Sequence, residues 1–177
     1  MPRYVTIDDA AVVLNSACRV LVVSCSGGGK STLSLQLANL CQMNLISIDR
    51  DVRWLAGWIE RDKHTQRALI AELIKQDRWV MDGSGSSTFD LRLPRADLVL
   101  WIKVPRRIAL AGLAHRVIRS YGSVRPEMAE GCPERVYRTQ RFFHTSGISK
   151  RNTPLGLLAG NFSLNLTQSP QYISRTQ

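Results

Sequence analysis

The run Ser24-Cys-Ser-Gly-Gly-Gly-Lys30-Ser31-Thr32 sets three glycines directly before a lysine and two hydroxyl residues. A chain that wraps a phosphate closely needs such glycines, because several backbone N–H groups must point inward at once. The lysine then reaches the terminal phosphates, the next hydroxyl binds Mg²⁺, and a following helix presents its positive end to the anion. Gly27, Gly28, Gly29, Lys30, Ser31 and Thr32 are therefore candidate nucleotide-binding residues, and ATP with Mg²⁺ is the pair the pattern implies. The full pattern opens on glycine, whereas Ser24 stands here. Serine is small enough to keep the turn; the other reading is a glycine-rich turn with no ligand. Cys25 reads either as a thiol acidified by nearby amides and Lys30 or as a small residue where one is needed.

Such a loop needs a strand before it and a helix after it. The segment 19–24 is β-branched and continuously apolar, as a strand buried on both faces should be. A helix is expected from about Lys30 to Cys41, with Leu33, Leu37 and Leu40 on its inner face. Thr6 is placed to cap a short leading helix, through about Leu14. Further short apolar runs at 45–48, 79–81 and 98–102 alternate with helical patterns at about 62–75 and 106–119. Leu69, Leu73 and Ile74 mark the inner face of the first of these helices, and Pro105 suits the opening of the second. That alternation is the mark of a parallel sheet with crossover helices. Residues 121–133 hold Gly122, Pro126, Gly131 and Pro133 and read as an excursion rather than core. A helix from Glu134 to about Phe143, an irregular stretch over 145–160 and a fifth strand at 162–166 complete the expectation. With 177 residues and no linker or repeat, one α/β domain spanning 1–177 follows.

In open α/β sheets ligands bind beyond the carboxyl ends of the strands. Three acids fall there. Asp82 follows the third strand, where a magnesium-holding acid belongs, so Ser31 and Asp82 form the candidate metal pair. Capping the turn at Gly83 is its alternative role. Asp49 and Asp51 follow the second strand; one would orient a phosphate acceptor while the other pairs with Arg50 or Arg53, and the preference goes to Asp51. Trp54 and Trp58, four apart, either line the acceptor side or pack as a core pair.

Charge is the unusual bulk property. The chain has 24 Lys+Arg against 14 Asp+Glu, a formal +10. Residues 1–100 carry 12 basic and 11 acidic side chains, whereas residues 101–177 carry 12 and 3. The second half must meet something anionic or tolerate its own repulsion. Phosphoryl transfer needs cations that close over the transferred group, and arginine grips phosphate oxygens in pairs. Arg116 and Arg119 share a helix face just before the glycine- and proline-rich excursion, which contains Arg125. The three are candidate lid residues, with a solvated basic face as the other reading. Arg138, Arg141, Lys150 and Arg151, with Phe142 and Phe143 between them, either grip nucleic acid or flank a helix's buried face. Cys18, Cys25, Cys41 and Cys132 lack zinc-ligand spacing, and no apolar run approaches the ~20 residues of a membrane span. With no signal-peptide pattern, a reduced cytoplasmic protein is expected.

The loop, together with Asp51…Trp54…Gly57-Trp58, Trp79-Val-Met-Asp82-Gly83, Asp90-Leu-Arg-Leu-Pro-Arg-Ala-Asp97, Pro105-Arg106-Arg107 and the segment 125–135, resembles adenylate-kinase-related P-loop proteins. The group most similar is the DNA topology-modulation, or FlaR-related, set, over about residues 19–173. The resemblance implies a nucleoside-monophosphate-kinase-like, three-layer P-loop fold with a parallel five-stranded sheet, ATP as donor and Mg²⁺ as cofactor. It further implies an acceptor flap at about 49–78 with Asp51, Trp54 and Arg92 as substrate-binding residues, and an arginine-rich lid at about 120–134. Lys30, Asp82, Arg116, Arg119 and Arg125 then carry the catalysis. Members of the set read Asp-Gly-Asn-Tyr-Ser-Arg after the third strand, whereas this chain reads Asp82-Gly-Ser-Gly-Ser-Ser87, without the aromatic and the arginine. The expected activity is ATP-dependent phosphoryl transfer to a small acceptor, first a nucleoside monophosphate. An ATP-binding regulator that touches DNA or RNA through the basic half is the alternative; no membrane partner is expected.

Overall fold

The structure is a computed structural model and describes residues 2–4, 6–134, 163–165 and 173–176. Strand β1 (Pro2–Tyr4) precedes helix α1 (Ile7–Ser16), which Thr6 caps. The Thr6 hydroxyl accepts from the Asp9 N–H while the Asp9 carboxylate accepts from the Thr6 N–H, so two otherwise orphaned donors are satisfied. Strand β2 (Arg19–Ser24) then runs through the middle of the molecule into the glycine loop, and helix α2 (Lys30–Cys41) leaves it.

Strands β3 (Asn44–Ser47), β6 (Trp79–Asp82), β2 and β7 (Leu98–Ile102) lie side by side in the order β3-β6-β2-β7, all parallel. Between β3 and β6 come a two-stranded ribbon, β4 (Trp54–Leu55) with β5 (Ile59–Glu60), and helix α3 (Lys63–Leu73). Helix α4 (Phe89–Arg92) precedes β7, and helix α5 (Arg106–Ser120) follows it. Beyond β7 the sheet continues with β8 (Ser163–Asn165), β9 (Ile173–Thr176) and β1, and β9 runs antiparallel to both of its neighbours. The strand expected at 162–166 is β8, parallel to β7; the expected five-stranded parallel sheet is extended by β9 and β1 to a seven-stranded mixed one. The N-terminal residues 2–4, for which no element was expected, form strand β1 at the end of the strand order.

Both faces of that centre are apolar, which is why its strands read as continuous rather than alternating runs. Val20, Val22, Val80, Leu98 and Leu100 point to one face, against Ala10 and Ala17 at α1 and Leu37 and Ala38 of α2. Leu21, Val23, Ile46, Trp79, Met81 and Val99 point to the other, against Ile70 and Ile74 at α3. Two inner-face expectations shift. Leu40 is exposed, and Ile70 rather than Leu69 or Leu73 is the fully buried position of α3.

The segment after α5 departs further from expectation. Residues 121–134 are not a loose excursion: Met128, Ala129 and Cys132 are buried as a small satellite core against Trp54 and Trp58. Its neck is closed by the Gly122 N–H donating to Glu134 O at 2.9 Å and the Glu134 N–H donating to Ser123 O at 2.9 Å. The expected helix at 134–143, the irregular stretch at 145–160 and the cations Arg138, Arg141, Lys150 and Arg151 lie outside the described residues. No helix among the described residues is long and apolar enough to cross a membrane.

Candidate functional site

Leaving β2, the chain crosses to β3 on one side, and it reaches β7 on the other only after β6, so the carboxyl end of β2 lies at a switch in connection direction. The glycine loop occupies that end. Gly27 and Gly29 have φ of +79° and +80°, a left-handed conformation that disfavours side chains. Gly29 is the residue before α2 and offers no side-chain cap, so the first N–H groups of α2 are left for something else. An anion is what such an end attracts.

The loop is clasped from beneath. A Cβ on Gly27 would lie 2.1 Å from Ala109 O, and one on Gly112 would lie 2.4 Å from Gly27 O. Helix α5 therefore rests backbone-to-backbone on the loop, and only glycine at 27 and 112 permits it. Ser24, the departure from the phosphate-loop pattern, is buried and accounted for. Its hydroxyl donates to Ile102 O at 2.9 Å, binding β2 to β7, and a Cβ on Gly28 would meet that hydroxyl at 2.1 Å. The Ser24 N–H also donates to the Ser84 hydroxyl, which in turn donates to Ser24 O at 2.6 Å. The Ser84-Gly-Ser-Ser87 stretch that distinguishes this chain thus ties the turn after β6 to the start of the loop.

Asp82 ends β6 beside Val22 of β2 and Ser47 of β3. It is 5% exposed, and its Oδ1 is buried with no hydrogen-bond partner. Burial raises its pKa, while the nearby Lys30 ammonium and the Ser31 hydroxyl pull it back down. Lys30, Ser31 and Asp82 are therefore brought together as expected. An orphaned carboxylate oxygen beside a hydroxyl fits Mg²⁺, which takes few protein ligands and completes its shell with water and phosphate, while the uncapped helix end suits the phosphate. No cluster of three or more His, Cys, Asp or Glu able to hold a metal occurs among the described residues. A two-ligand magnesium site does not need one.

The acids after β3 separate cleanly. Residues Ile48–Arg53 form a short π-helical turn, with the Ser47 hydroxyl accepting from the Arg50 N–H at 3.3 Å. Asp51 is spent inside it: its carboxylate accepts from the Ser47 N–H at 2.8 Å and from Arg50 at 2.7 and 2.9 Å. Asp49 is the acid whose charge reaches Asp82 and Arg116. Asp51, the acid preferred for facing an acceptor, is instead engaged within its own turn.

Arg92 is not at a surface where a substrate contacts it. It is fully buried, donates to Gly83 O at 2.9 Å and to Gly85 O, and stacks on the Phe89 ring at 4.7 Å. Burial lowers its pKa to about 10. Its place is under the turn that follows Asp82, which it holds by the carbonyls. Trp54 is half-buried, edge-on to Trp58 at 5.4 Å, with Arg53 over its ring at 4.8 Å.

Arg116 sits four residues after Gly112, on the face of α5 that meets the loop. Desolvation, and then repulsion from Arg125, lower its pKa. Both arginines gather on Glu134, which is 5% exposed: Arg125 Nε lies 2.8 Å and Arg116 Nε 3.8 Å from its Oε2. Arg125 also pairs with Glu127 at 2.7 Å. Arg119 is exposed and pairs with no acid among the described residues. Sequence reasoning missed Glu134 and Glu127, and a signal was available. The second half of the chain has only three acids, and all of them, Glu127, Glu130 and Glu134, lie in one eight-residue stretch beside Arg125.

Residues 121–134 are also fastened to the 47–58 segment. Ser47 Oγ donates to Glu127 O at 2.8 Å, the Gly57 N–H to Gly131 O at 3.0 Å, and Trp58 Nε1 to Pro133 O at 3.1 Å.

No family model matches the chain, and no curated protein is significantly similar to it. Among solved structures, a gluconokinase from Sinorhizobium meliloti 1021 is similar over 85% of this chain and 83% of that one, at 14% identity and a TM-score of 0.47. At that level the likeness says nothing of what this chain acts on. The architecture is that of an α/β protein with a parallel central sheet and a glycine loop at its switch point.

Proposed function

We propose that the chain is an ATP-dependent phosphotransferase acting on a small acceptor, with nucleoside monophosphates the first class to test. The observation that carries this reading is the meeting of the uncapped α2 N-terminus, Lys30 and Ser31 with the unpaired Asp82 oxygen on the neighbouring strand. In this reading the amides of Gly27, Gly28 and Gly29 cradle the donor's phosphates, Lys30 neutralises them, and Thr32 adds a hydroxyl at the helix start. Ser31 and Asp82 hold Mg²⁺, which when bound spreads the charge of the phosphate oxygens. Arg92 keeps the turn after Asp82 in register, so the carboxylate stays aimed without a covalent role.

Arg116 and Arg125 act as a cationic pair over the transferred group, positioned by Glu134, with Arg119 free to join from solvent. Fastened to the 47–58 flap, the 121–134 lid excludes water, which would otherwise take the phosphoryl group. Asp49 and Trp54 lie on the acceptor side, where they orient the acceptor; the attacking atom is a phosphate oxygen of a nucleoside monophosphate, or the hydroxyl of an acceptor such as a sugar acid, and the bond broken is that between the γ-phosphorus and the ADP oxygen. No strong base is required, since positioning and charge dominate this chemistry. ADP release measured against a panel of nucleoside monophosphates, sugar acids and other small hydroxyl compounds tests the reading. One class should raise ADP release well above basal hydrolysis; a panel with no effect would sink it.

A further inference from the structure

The ribbon and the segment 121–134 each lack what a piece of chain needs to stay folded alone. Strands β4 and β5 have two residues each, and an isolated two-stranded ribbon is at best marginal in water. Residues 121–134 are turns and irregular backbone, closed at the neck by the N–H groups of Gly122 and Glu134. Their apolar centre is shared between them. Met128, Ala129 and Cys132 come from one piece, Trp54 and Trp58 from the other. The π-helical turn before the ribbon is different, because its Ile48 and Val52 are buried in the main core. The dependent part of the flap therefore begins at Trp54.

The seam between the two pieces is bonded along its length. Beside the bonds from Ser47, Gly57 and Trp58, Arg50 NH1 donates to Pro126 O at 3.3 Å and the Cys132 thiol donates to Leu55 O at 3.2 Å. Among the described residues, the hydrogen bonds that 126–133 make outside 121–134 all run to residues 47–58. The backbones also approach closely, since a Cβ on Gly131 would lie 3.1 Å from the Ala56 Cβ. Unfolding the lid alone would expose both indole rings and strip the Gly57 and Trp58 N–H groups of their acceptors. Unfolding the ribbon alone would expose Met128 and Cys132 and leave the carbonyls of Gly131 and Pro133 unpaired. Either loss removes the other piece's core, which is the condition for a local cooperative unit.

We infer that residues 54–60 and 123–133 open and close as one cooperative unit, not as two independent covers. Arg125 belongs to that unit, and its Nε lies 2.8 Å from the Glu134 carboxylate that also gathers Arg116. A ligand that orders the ribbon therefore orders the lid arginines, and by reciprocity a ligand held by the arginines orders the ribbon. This consequence for turnover rests on the phosphoryl-transfer reading; the cooperative unit itself does not.

Native-state hydrogen exchange on the full chain, in graded urea and without nucleotide or Mg²⁺, tests it. The Arg61 N–H, bonded to Arg53 O at 2.9 Å, reads the ribbon, and the Glu134 N–H, bonded to Ser123 O at 2.9 Å, reads the lid. The Trp79 N–H, bonded to Cys18 O at 2.9 Å, reads the main sheet. Arg61 and Glu134 should be protected to within about threefold of each other, and both less than Trp79. Met128→Ala truncates only the lid and should speed exchange at both Arg61 and Glu134 by at least about tenfold. Trp58→Phe alters only the flap, removes the bond to Pro133 O and should speed both by about threefold or more. Trp58→Phe decides the matter should Met128→Ala fail to fold. A wider gap between Arg61 and Glu134 in the parent overturns the inference. So does a variant that speeds the amide of its own segment and leaves the other unchanged, or exchange of both amides only together with Trp79. With no ligand present, the outcome is independent of whether the chain transfers phosphate.

Discussion

Replacing Gly112 by alanine would put a methyl carbon 2.4 Å from the carbonyl oxygen of Gly27 and 3.3 Å from its carbon. Gly112 sits mid-helix, where alanine is normally favourable by about 1 kcal/mol. Here the obstacle is backbone, which cannot rotate aside. Restoring an ordinary contact of 3.4 Å requires the helix or the loop to move by about 1 Å. Overpacking of this kind costs about 1–3 kcal/mol, so the helix-propensity gain is cancelled or exceeded. The larger consequence falls on the reaction. A displacement of about 1 Å at a phosphate-positioning loop is worth roughly 100-fold in rate. The expected result is therefore a melting temperature equal to or below the parent's, with kcat for acceptor-dependent ADP formation lowered about 10- to 100-fold. Differential scanning calorimetry and steady-state kinetics on the purified variant read the two quantities. A variant that melts about 2–4 °C higher with unchanged kcat would show the helix gain without the clash. The contact between α5 and the loop, and with it the placement of Arg116, would then be wrong.

Asp82→Asn should melt above the parent at neutral pH while losing activity, because burial raises the carboxyl's pKa and so penalises its ionised form. The sign follows from that direction. The parent's stability is fully present below the ordinary carboxylate range and is forfeited as pH rises through the raised pKa, so the two melting curves should converge in acid and separate above it; a constant offset across pH would contradict this. Arg92→Leu leaves the carbonyls of Gly83 and Gly85 unpaired and should cost about 2–4 kcal/mol in urea unfolding; unchanged stability with a raised KM would instead make Arg92 a substrate contact. Ser24→Gly, which restores the common loop residue, should lose about 1 kcal/mol with the Ile102 bond and keep ATP affinity within about threefold. Loss of ATP binding in that variant would show that the serine serves the ligand rather than the sheet.

The elements that place the phosphate loop were legible because local rules and packing agree there. The β-branched run at 19–24, the glycines before Lys30 and the Thr6 cap each specify their structure within a few residues. What the sequence hid was decided by partners far along the chain. Arg92 is expected from the resemblance as a substrate-binding residue, yet it is buried on two carbonyls after β6 and the Phe89 ring. Asp49 and Asp51 are two residues apart, and only the π-helical turn, closed by Ser47, commits Asp51 to the Ser47 N–H and Arg50. The glycines and prolines of 121–134 mark irregular backbone correctly, but irregular backbone can still carry a core, here Met128, Ala129 and Cys132 against two tryptophans. The charge asymmetry was visible at once, and its counterpart was not: two of the three acids of the basic half, Glu127 and Glu134, pair with Arg116 and Arg125, so the local field at these arginines is far closer to balance than the +9 of residues 101–177 suggests.

The central claim is that residues 27–32 and Asp82 hold a nucleoside triphosphate whose terminal group passes to a bound acceptor. The direct measurement is transfer of label from γ-labelled ATP to the acceptor selected from the panel, in the parent and in Lys30→Ala side by side. Labelled product should form in the parent and fall at least about 100-fold in Lys30→Ala, whose lysine supplies the charge on the transferred group. Product formation equal in the two proteins, or label that reaches only inorganic phosphate in the parent, would contradict the account.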